Sequence, residues 1–398
     1  MKNIAIIGCG AAGTMVLANL VSKAKDGELD ITVYHYGTPL SRGIAYSTKT
    51  DGHLLNVVAS EMGIWAGNKN DFFEWLQHNH YNNYHERSFV PRKLFGEYLE
   101  DKLRQTNELA KKKSIRISFI EEEVTELPDH FDHICLALGN KLKAFDVEET
   151  IDLEAAKHIV IAGTGLSMID MVVWLDEQNY RGKLSLISTH GNLPYAYSFE
   201  TRVTVKNTVE IGDDLLTVLK KYGEMVEKYK DWRSVIDSFR PISNRIWQAW
   251  SLVDRQKFLS EYNSEWGIRR HKIAVEIDQQ VRDFFSKIEL EQIQARLDRV
   301  IRNGKKYVAI LANGQQIQCD AVVNCMGLNL NPAAHELYSV LIAKGELKVS
   351  DVGVGVIPPQ RNNLHIIGSA LIGYLFESVA IPDLRLQAEA IADNVLFN

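Results

Sequence analysis

The sequence predicts an α/β protein with two Rossmann-like units and a helical insertion, and three observations carry that prediction. An apolar run at residues 4–7 leads at once into Gly8, Gly10 and Gly13 in GxGxxG spacing, followed by a helical pattern. A second apolar run at residues 159–162 leads into Gly163 and Gly165, an offset of 155 (163 minus 8), and again into a helix. Residues 207–290 differ in character, being rich in Trp, Arg, Glu and Lys at helical spacing with few strand signals.

Each glycine of the first unit has a physical role. Gly8 permits the tight turn, Gly10 lets the backbone approach a pyrophosphate, and Gly13 lets the helix pack close to the strand. The helix N-terminus adds free amides and the positive end of its dipole. A lone GxGxxG is weak evidence, but here a strand precedes it, a helix follows, and a second strand at residues 30–34 returns at the βαβ distance. The unit is therefore expected to bind a dinucleotide. Where an acidic residue commonly holds the adenosine ribose, the chain has Tyr34 and His35. His35 either hydrogen-bonds a ribose hydroxyl through a ring nitrogen or is a strand-end histidine without a ligand.

In the second unit Met168 stands where the third glycine would be, and a strand at residues 183–188 completes the βαβ. Thr189 and His190 follow, neither the acid that favours NADH nor the arginine that favours the 2′-phosphate of NADPH, so that choice stays open.

Residues 131–140 (FDHICLALGN) and 319–332 (CDAVVNCMGLNLNP) each read as an apolar strand ending in glycine, Gly139 and Gly327. With residues 364–370 (LHIIGSA) they are expected to extend the first sheet, making the first domain discontinuous around the second. In the alternative each is a core strand of its own local domain. In the insertion, Trp232, Trp247, Trp250 and Trp266 read as core aromatics more than as a ligand cage. Arg269, Arg270 and His271 form either a solvated basic face or the lining of a pocket.

Composition bounds the function. The 398 residues suffice for two or three cores, and 45% apolar with 24% charged residues is the balance of a folded globular protein. A formal charge of −6 leaves no electrostatic footprint for nucleic acid or an anionic membrane surface. No apolar run reaches the roughly 18 residues of a membrane span, and residues 4–7 are too short for the apolar region of a signal peptide. Cys9, Cys135, Cys319 and Cys325 are scattered without any CxxC pair, which argues against a zinc site, a disulfide framework or a disulfide reductase. They are expected to be buried, inert thiols in a cytoplasmic protein. Neither a nucleophile elbow nor an HExxH string is found, so a hydrolase is unsupported.

Finer strings narrow the reading. SRGIAYST (41–48), HLLNVVA (53–59), VPRKLFGEYL (90–99), WRSVIDSFRP (232–241) and FESVAIPDLRLQA (376–388) resemble the FAD/NAD(P)-binding flavoprotein family that includes bacterial FAD-dependent urate hydroxylases and aspartate N-monooxygenases. The resemblance runs from residue 4 to about residue 396. It implies FAD at the first unit and NADPH or NADH at the second. The FAD domain would then be residues 1–150 and 319–398, and the NAD(P) domain residues 151–318, with the helical insertion at about 207–290.

The same resemblance puts Gly8, Gly10, Ala12 and Gly13 at the FAD pyrophosphate, and His35 is counted with the cofactor contacts from the fingerprint. It puts Val124 against the adenine from a crossing strand, and Tyr46 and Asn56 towards the flavin ring. Gly368 and Ser369, at the start of the C-terminal helix, would lie beside the ribityl chain and pyrophosphate; Ser369 stands where many flavoproteins have aspartate. Gly139 and Gly327 are counted with the cofactor contacts, as are Gly163, Gly165 and Ser167 of the second unit.

The implied chemistry is reduction of FAD by the nicotinamide, followed by oxygen binding as a C4a-hydroperoxide that hydroxylates a small polar metabolite. The partners are therefore a small-molecule substrate and molecular oxygen, with no nucleic acid and no membrane, and no acid or base is assigned. Two alternatives stay open: an FAD-dependent reductase or dehydrogenase with another acceptor, and a non-catalytic redox sensor whose insertion contacts a protein. The substrate pocket is expected between the two units, with the insertion as part of its wall and Arg269, Arg270 and His271 facing an anionic substrate.

Overall fold

The computed structural model describes residues 1–141, 143, 151–198 and 202–397. Strand β1 (Lys2–Ile7) is buried over its last four residues, as a central parallel strand covered on both faces must be. Helix α1 (Ala11–Lys23) and strand β2 (Leu29–His35) complete the first βαβ. Helices α2 (Asp71–His78) and α3 (Arg92–Lys112) precede β3 (Arg116–Glu121) and β4 (His133–Leu136).

The second unit begins with β5 (His158–Ala162), α4 (Leu166–Glu177) and β6 (Lys183–Ser188). Six helices follow: α5 (Leu215–Tyr229), α6 (Trp232–Asp237), α7 (Ser243–Ala249), α8 (Leu252–Lys257), α9 (Asn263–Arg270) and α10 (Val275–Phe285). Then come β7 (Leu290–Gln294), an antiparallel meander of β8 (Leu297–Asn303), β9 (Lys306–Leu311) and β10 (Gln316–Cys319), and β11 (Ala321–Asn324). The chain ends with α11 (Glu336–Ala343), the short pair β12 (Lys348–Val349) and β13 (Val356–Ile357), β14 (Leu364–Ile366), α12 (Ile372–Leu375) and α13 (Ile381–Phe397).

Two parallel sheets carry the fold, ordered β14-β4-β1-β2-β3 and β11-β5-β6-β7. The four strands β4-β1-β2-β3 of the first correspond one by one to β11-β5-β6-β7 of the second, so the chain contains the same Rossmann half twice. This bears out the α/β expectation and corrects one strand. Residues 131–140 and 364–370 do extend the first sheet, but β11 pairs with β5 in the second, Ala321 opposite Ile159. Its place is pinned by the Asp320 carboxylate, which accepts the Lys157 and His158 amides at 2.9 and 3.0 Å.

The meander covers the outer face of the second sheet, where Val300, Tyr307 and Ala309 pack on Val160 and Ile187. Helices α4 and α10 cover the other face through Met168, Val172, Val281 and Phe284. Helix α10 is thus the crossover of the second unit, and the insertion, expected to reach residue 290, ends before it. Helices α5 to α9 enclose a separate core around Val235, Phe239, Trp247 and Phe258. Trp247 and Trp250 are buried there as expected, whereas Trp232 is half-buried at its edge.

Candidate functional site

The two strand-to-helix turns have the same geometry. Gly8 and Gly163 both sit at φ +99°, and a Cβ on either would stand 2.2 Å from a backbone oxygen, Ala137 O or Cys325 O. Their amides donate to the neighbouring strand, Gly8 to Tyr34 O at 2.8 Å and Gly163 to Ile187 O at 2.7 Å. Helices α1 and α4 start after N-caps Gly10 (φ −82°, ψ −159°) and Gly165 (φ −84°, ψ −161°), with no side-chain cap and no acidic residue in the first turn. The amides opening each helix are therefore left for a ligand at the positive end of its dipole, apart from that of Met168, which donates to Gly165 O at 3.1 Å. A Cβ on Gly165 would meet nothing within 4 Å, and one on Gly10 only Gly43, with Cα at 3.4 Å. Both cradles thus keep open the space a pyrophosphate needs. Gly13 is closed instead, its Cβ position lying 2.0 Å from Gly8 O, while Met168 at the matching place is wholly buried under α4.

The remaining expected site residues fall around these turns. His35 is half-buried at the end of β2, and its carbonyl accepts the Glu122 amide at 3.0 Å. Ala12 packs on the first core, and Ser167 is exposed on the first turn of α4. Gly139 (φ +75°) and Gly327 (φ +85°) end the equivalent strands β4 and β11, each with open space where a Cβ would be. Ser369 Oγ donates to Gly139 O at 3.0 Å, which brings the two together.

Gly368, at φ +91°, donates its amide to Gln387 Oε1 at 2.9 Å. It opens a short 3-10 turn at Ser369–Leu371; the C-terminal helix starts only at Ile381, so the expected placement at that helix's start is corrected. Val124 lies beyond β3 in a segment without strand structure, packed beside Leu127 and Phe131, and so is not on a crossing strand. Tyr46 packs on Phe95 with ring centroids 4.7 Å apart, and burial pushes its hydroxyl pKa up to about 12 against the nearby Arg92 charge. Asn56 O accepts the Tyr197 hydroxyl at 3.0 Å.

The family-like strings become physical once folded. His53 spans from Thr48 Oγ1 (2.7 Å) to Asp170 O (2.9 Å), and Arg92 Nη1 donates to Asp170 Oδ2 at 2.5 Å, so both strings bind the first unit to α4 of the second. Gln387 holds Gly368 and also donates to Ser378 O at 3.1 Å. Arg385 donates to Glu61 O and Gly63 O at 3.0 and 3.3 Å.

A charged cluster lies between the insertion and the start of α13. Arg270 is buried and paired with Glu377, and Lys272, 1% exposed, donates to Asp237 at 2.8 Å. Arg269 pairs with Glu265 at 2.5 Å and stacks over Trp232 and Tyr195 at 5.0 and 5.4 Å. Arg270 is thus committed to an internal partner, which corrects the solvated-face reading for it, whereas Arg269, half-buried, lines the aromatic cavity of the insertion.

His271 follows at the end of α9, where desolvation, with the Arg270 charge next, pushes its pKa down to about 4. Arg240, which sequence reasoning passed over inside WRSVIDSFRP, buries Nη2 without a hydrogen-bond partner among the described residues. It acts electrostatically on His271, Asp383 and Arg385. An unpartnered buried guanidinium nitrogen is costly, and its natural complement is an anion.

All four cysteines are buried and none forms a disulfide; burial pushes the Cys135 and Cys319 thiols up to about 12. Among the described residues no group of His, Cys, Asp or Glu is placed to hold a metal ion, and no helix is long and apolar enough to cross a membrane.

Comparison with known proteins agrees with this geometry. Residues 5–148 match the family described as FAD-NAD(P)-binding. An ornithine N-hydroxylase from Kutzneria sp. 744 aligns over 99% of this chain and 99% of its own, with a TM-score of 0.62 at 13% identity. Ornithine hydroxylase from Pseudomonas aeruginosa aligns over 99% and 98%, with a TM-score of 0.65 at 11% identity. The fold is the FAD/NAD(P)-binding Rossmann type. With the two open cradles, these findings bear out FAD and a nicotinamide nucleotide as the cofactors. In sequence, the uncharacterized protein YdhS of Escherichia coli (strain K12) is 25% identical over 250 residues, which are 58% of this chain and 42% of YdhS.

Proposed function

We propose that this chain is an FAD-dependent oxidoreductase that oxidises NADPH or NADH and hydroxylates a small polar metabolite with molecular oxygen. The observation that carries the reading is the duplicated turn at Gly8 and Gly163, two open anion cradles in a fold that matches N-hydroxylases over its whole length. FAD would be held by Gly8, Gly10, Ala12 and Gly13, with Gly139, Gly368 and Ser369 beside it, and the nicotinamide nucleotide by Gly163, Gly165 and Ser167. When bound, FAD supplies the hydride-accepting and oxygen-activating chemistry. The chain's own residues position the partners and exclude water. His53 and Arg92 fix the two units against Asp170, and the substrate would be received between the units on the side of Arg240 and His271.

Arg240 takes the role in which Arg269 and Arg270 were expected, pairing with an anionic group of the substrate through its free Nη2. The Kutzneria enzyme was solved with reduced FAD, NADP+ and L-ornithine, which supports an amino acid or similar small metabolite and favours NADPH. The FAD domain is read as residues 1–150 with the segment after 327, and the NAD(P) domain as residues 151–327; the junction near 150 borders residues outside those described. Buried thiols, none of them in a disulfide, disfavour a dithiol acceptor. The test is oxygen consumption with NADPH across amino acids, amines and purines, with product analysis by mass spectrometry. A product heavier by one oxygen supports the hydroxylase. Nicotinamide oxidation that returns all oxygen as peroxide with every candidate counts against it.

A further inference from the structure

The insertion lines a partly open cavity of about 150 Å³ that the nucleotide cradles do not use. Its walls are aromatic: Phe239, Trp247, Trp250, Phe258, Trp266 and Phe376 all line it. The rings brace one another, Trp247 stacking on Phe376 at 4.9 Å and Phe239 meeting Trp266 edge-on at 5.8 Å. The indole N–H groups are satisfied elsewhere, Trp247 on Gly373 O and Trp250 on Asp213 O, each at 3.0 Å. Those two rings therefore offer the cavity hydrocarbon and π surface only.

Two features mark the space as more than slack packing. Phe376 is held at φ 72°, ψ −64°, a backbone region that a bulky L residue rarely adopts, and the conformation turns its ring into this wall. Tyr222, in the same wall, buries its hydroxyl beside Arg269 without a hydrogen bond of normal geometry among the described residues. Burial raises its pKa, and the Arg269 charge nearby opposes the rise. The charges at the cavity, Glu265 and Arg269, are closed on each other at 2.5 Å.

We propose that this cavity is a binding site for a small neutral aromatic molecule of phenol or indole size with one hydrogen-bonding substituent, distinct from the two nucleotide sites. An apolar cavity of about 150 Å³ has room for a benzene-sized ring. The surrounding rings suit edge and face contacts with an aromatic guest, and the Tyr222 hydroxyl is the polar partner that selects the substituent. A charged guest would be desolvated with no free counter-ion to meet it. The site does not depend on the proposed redox chemistry.

The full-length protein as purified is titrated with phenol, indole, toluene and benzoate, following tryptophan fluorescence and thermal unfolding. Phenol and indole should give saturable fluorescence changes and raise the midpoint by about 2 °C or more at saturation. Toluene should bind about tenfold more weakly than phenol, the loss of one hydrogen bond, and benzoate not at all. Tyr222→Phe should erase the preference for phenol over toluene, and Leu219→Trp, which fills the cavity, should abolish both responses while leaving the bound flavin unchanged. No saturable response to any of the neutral rings, or an equal response in Leu219→Trp, overturns the proposal. If that variant does not fold, nuclear Overhauser contacts between phenol and the indole rings of the unaltered protein decide the matter, their absence counting against the site.

Discussion

Arg270 and Glu377 form a buried bidentate ion pair, Nε to Oε1 and Nη2 to Oε2 at 2.9 Å each, with both side chains about 9% exposed. The pair joins the last helix of the insertion to the turn that enters α13, so it ties the insertion to the first unit. Removing one partner strands a buried charge. Glu377→Gln is expected to cost about 3–5 kcal/mol in denaturant unfolding. The double replacement Arg270→Met with Glu377→Leu should recover most of that loss, because no charge is left unpaired. A single variant as stable as the unaltered protein would contradict the pairing.

The glycines of the second turn separate folding from binding. At Gly163 a Cβ collides with Cys325 O and φ is +99°, so Gly163→Ala is expected to destabilise the second unit. At Gly165 the backbone is extended and the Cβ position is open, so Gly165→Val should fold normally and keep its FAD. What it loses is the nicotinamide nucleotide, with binding weaker by about tenfold or more as the methyl groups occupy the pyrophosphate space. Calorimetric titration with NADPH and the flavin content of the purified variant read the two effects apart.

These turns were legible in the sequence because only glycine tolerates a positive φ and a 2.2 Å approach of a backbone oxygen, which leaves a local signature. The pairing of β11 was not, since a strand ending in glycine marks the same place in both copies and strand neighbours are chosen over long separations. The meander at residues 297–319 was missed although Asn303-Gly304 and Asn313-Gly314 are hairpin signals, with both glycines at positive φ. Arg269 and Arg270 resemble a basic surface run; only the partner Glu377, 107 residues away, shows that Arg270 is internal. The same long-range logic hides Arg240, which is conspicuous only because no described residue hydrogen-bonds its Nη2.

Arg240→Gln is expected to raise KM for an anionic substrate about 10- to 100-fold, the worth of one hydrogen bond to a charged group. Flavin reduction by NADPH in the absence of substrate should be unchanged, because Arg240 lies in neither glycine turn. Steady-state kinetics paired with anaerobic reduction rates check this, and an equal fall in both would point to a structural role instead.

The first sheet carries a pH-sensitive contact. His133 Nδ1 and His365 Nε2 lie 3.2 Å apart on adjacent strands β4 and β14, and burial, then the His133 charge, pushes the His365 pKa down to about 4. In the unfolded chain its pKa returns to about 6.5. Above that value both states are neutral and no penalty exists. Between pH 6.5 and 4 the unfolded chain binds a proton that the folded one refuses, so stability falls as pH drops through this window. The contribution should be about 2 kcal/mol between pH 7 and pH 5. Denaturant unfolding of His365→Gln against the unaltered protein isolates it, the variant showing the shallower pH dependence.

The central claim is that FAD sits at the Gly8 turn and accepts hydride from a nicotinamide nucleotide at the Gly163 turn. The most direct measurement is anaerobic mixing of the purified protein with NADPH or NADH while the visible flavin absorbance is followed. The account predicts a protein yellow from bound FAD whose flavin band bleaches on mixing, and bleaches more slowly in Gly165→Val. A colourless protein that takes up no added FAD, or a bound flavin that stays oxidised with both nucleotides, would contradict it.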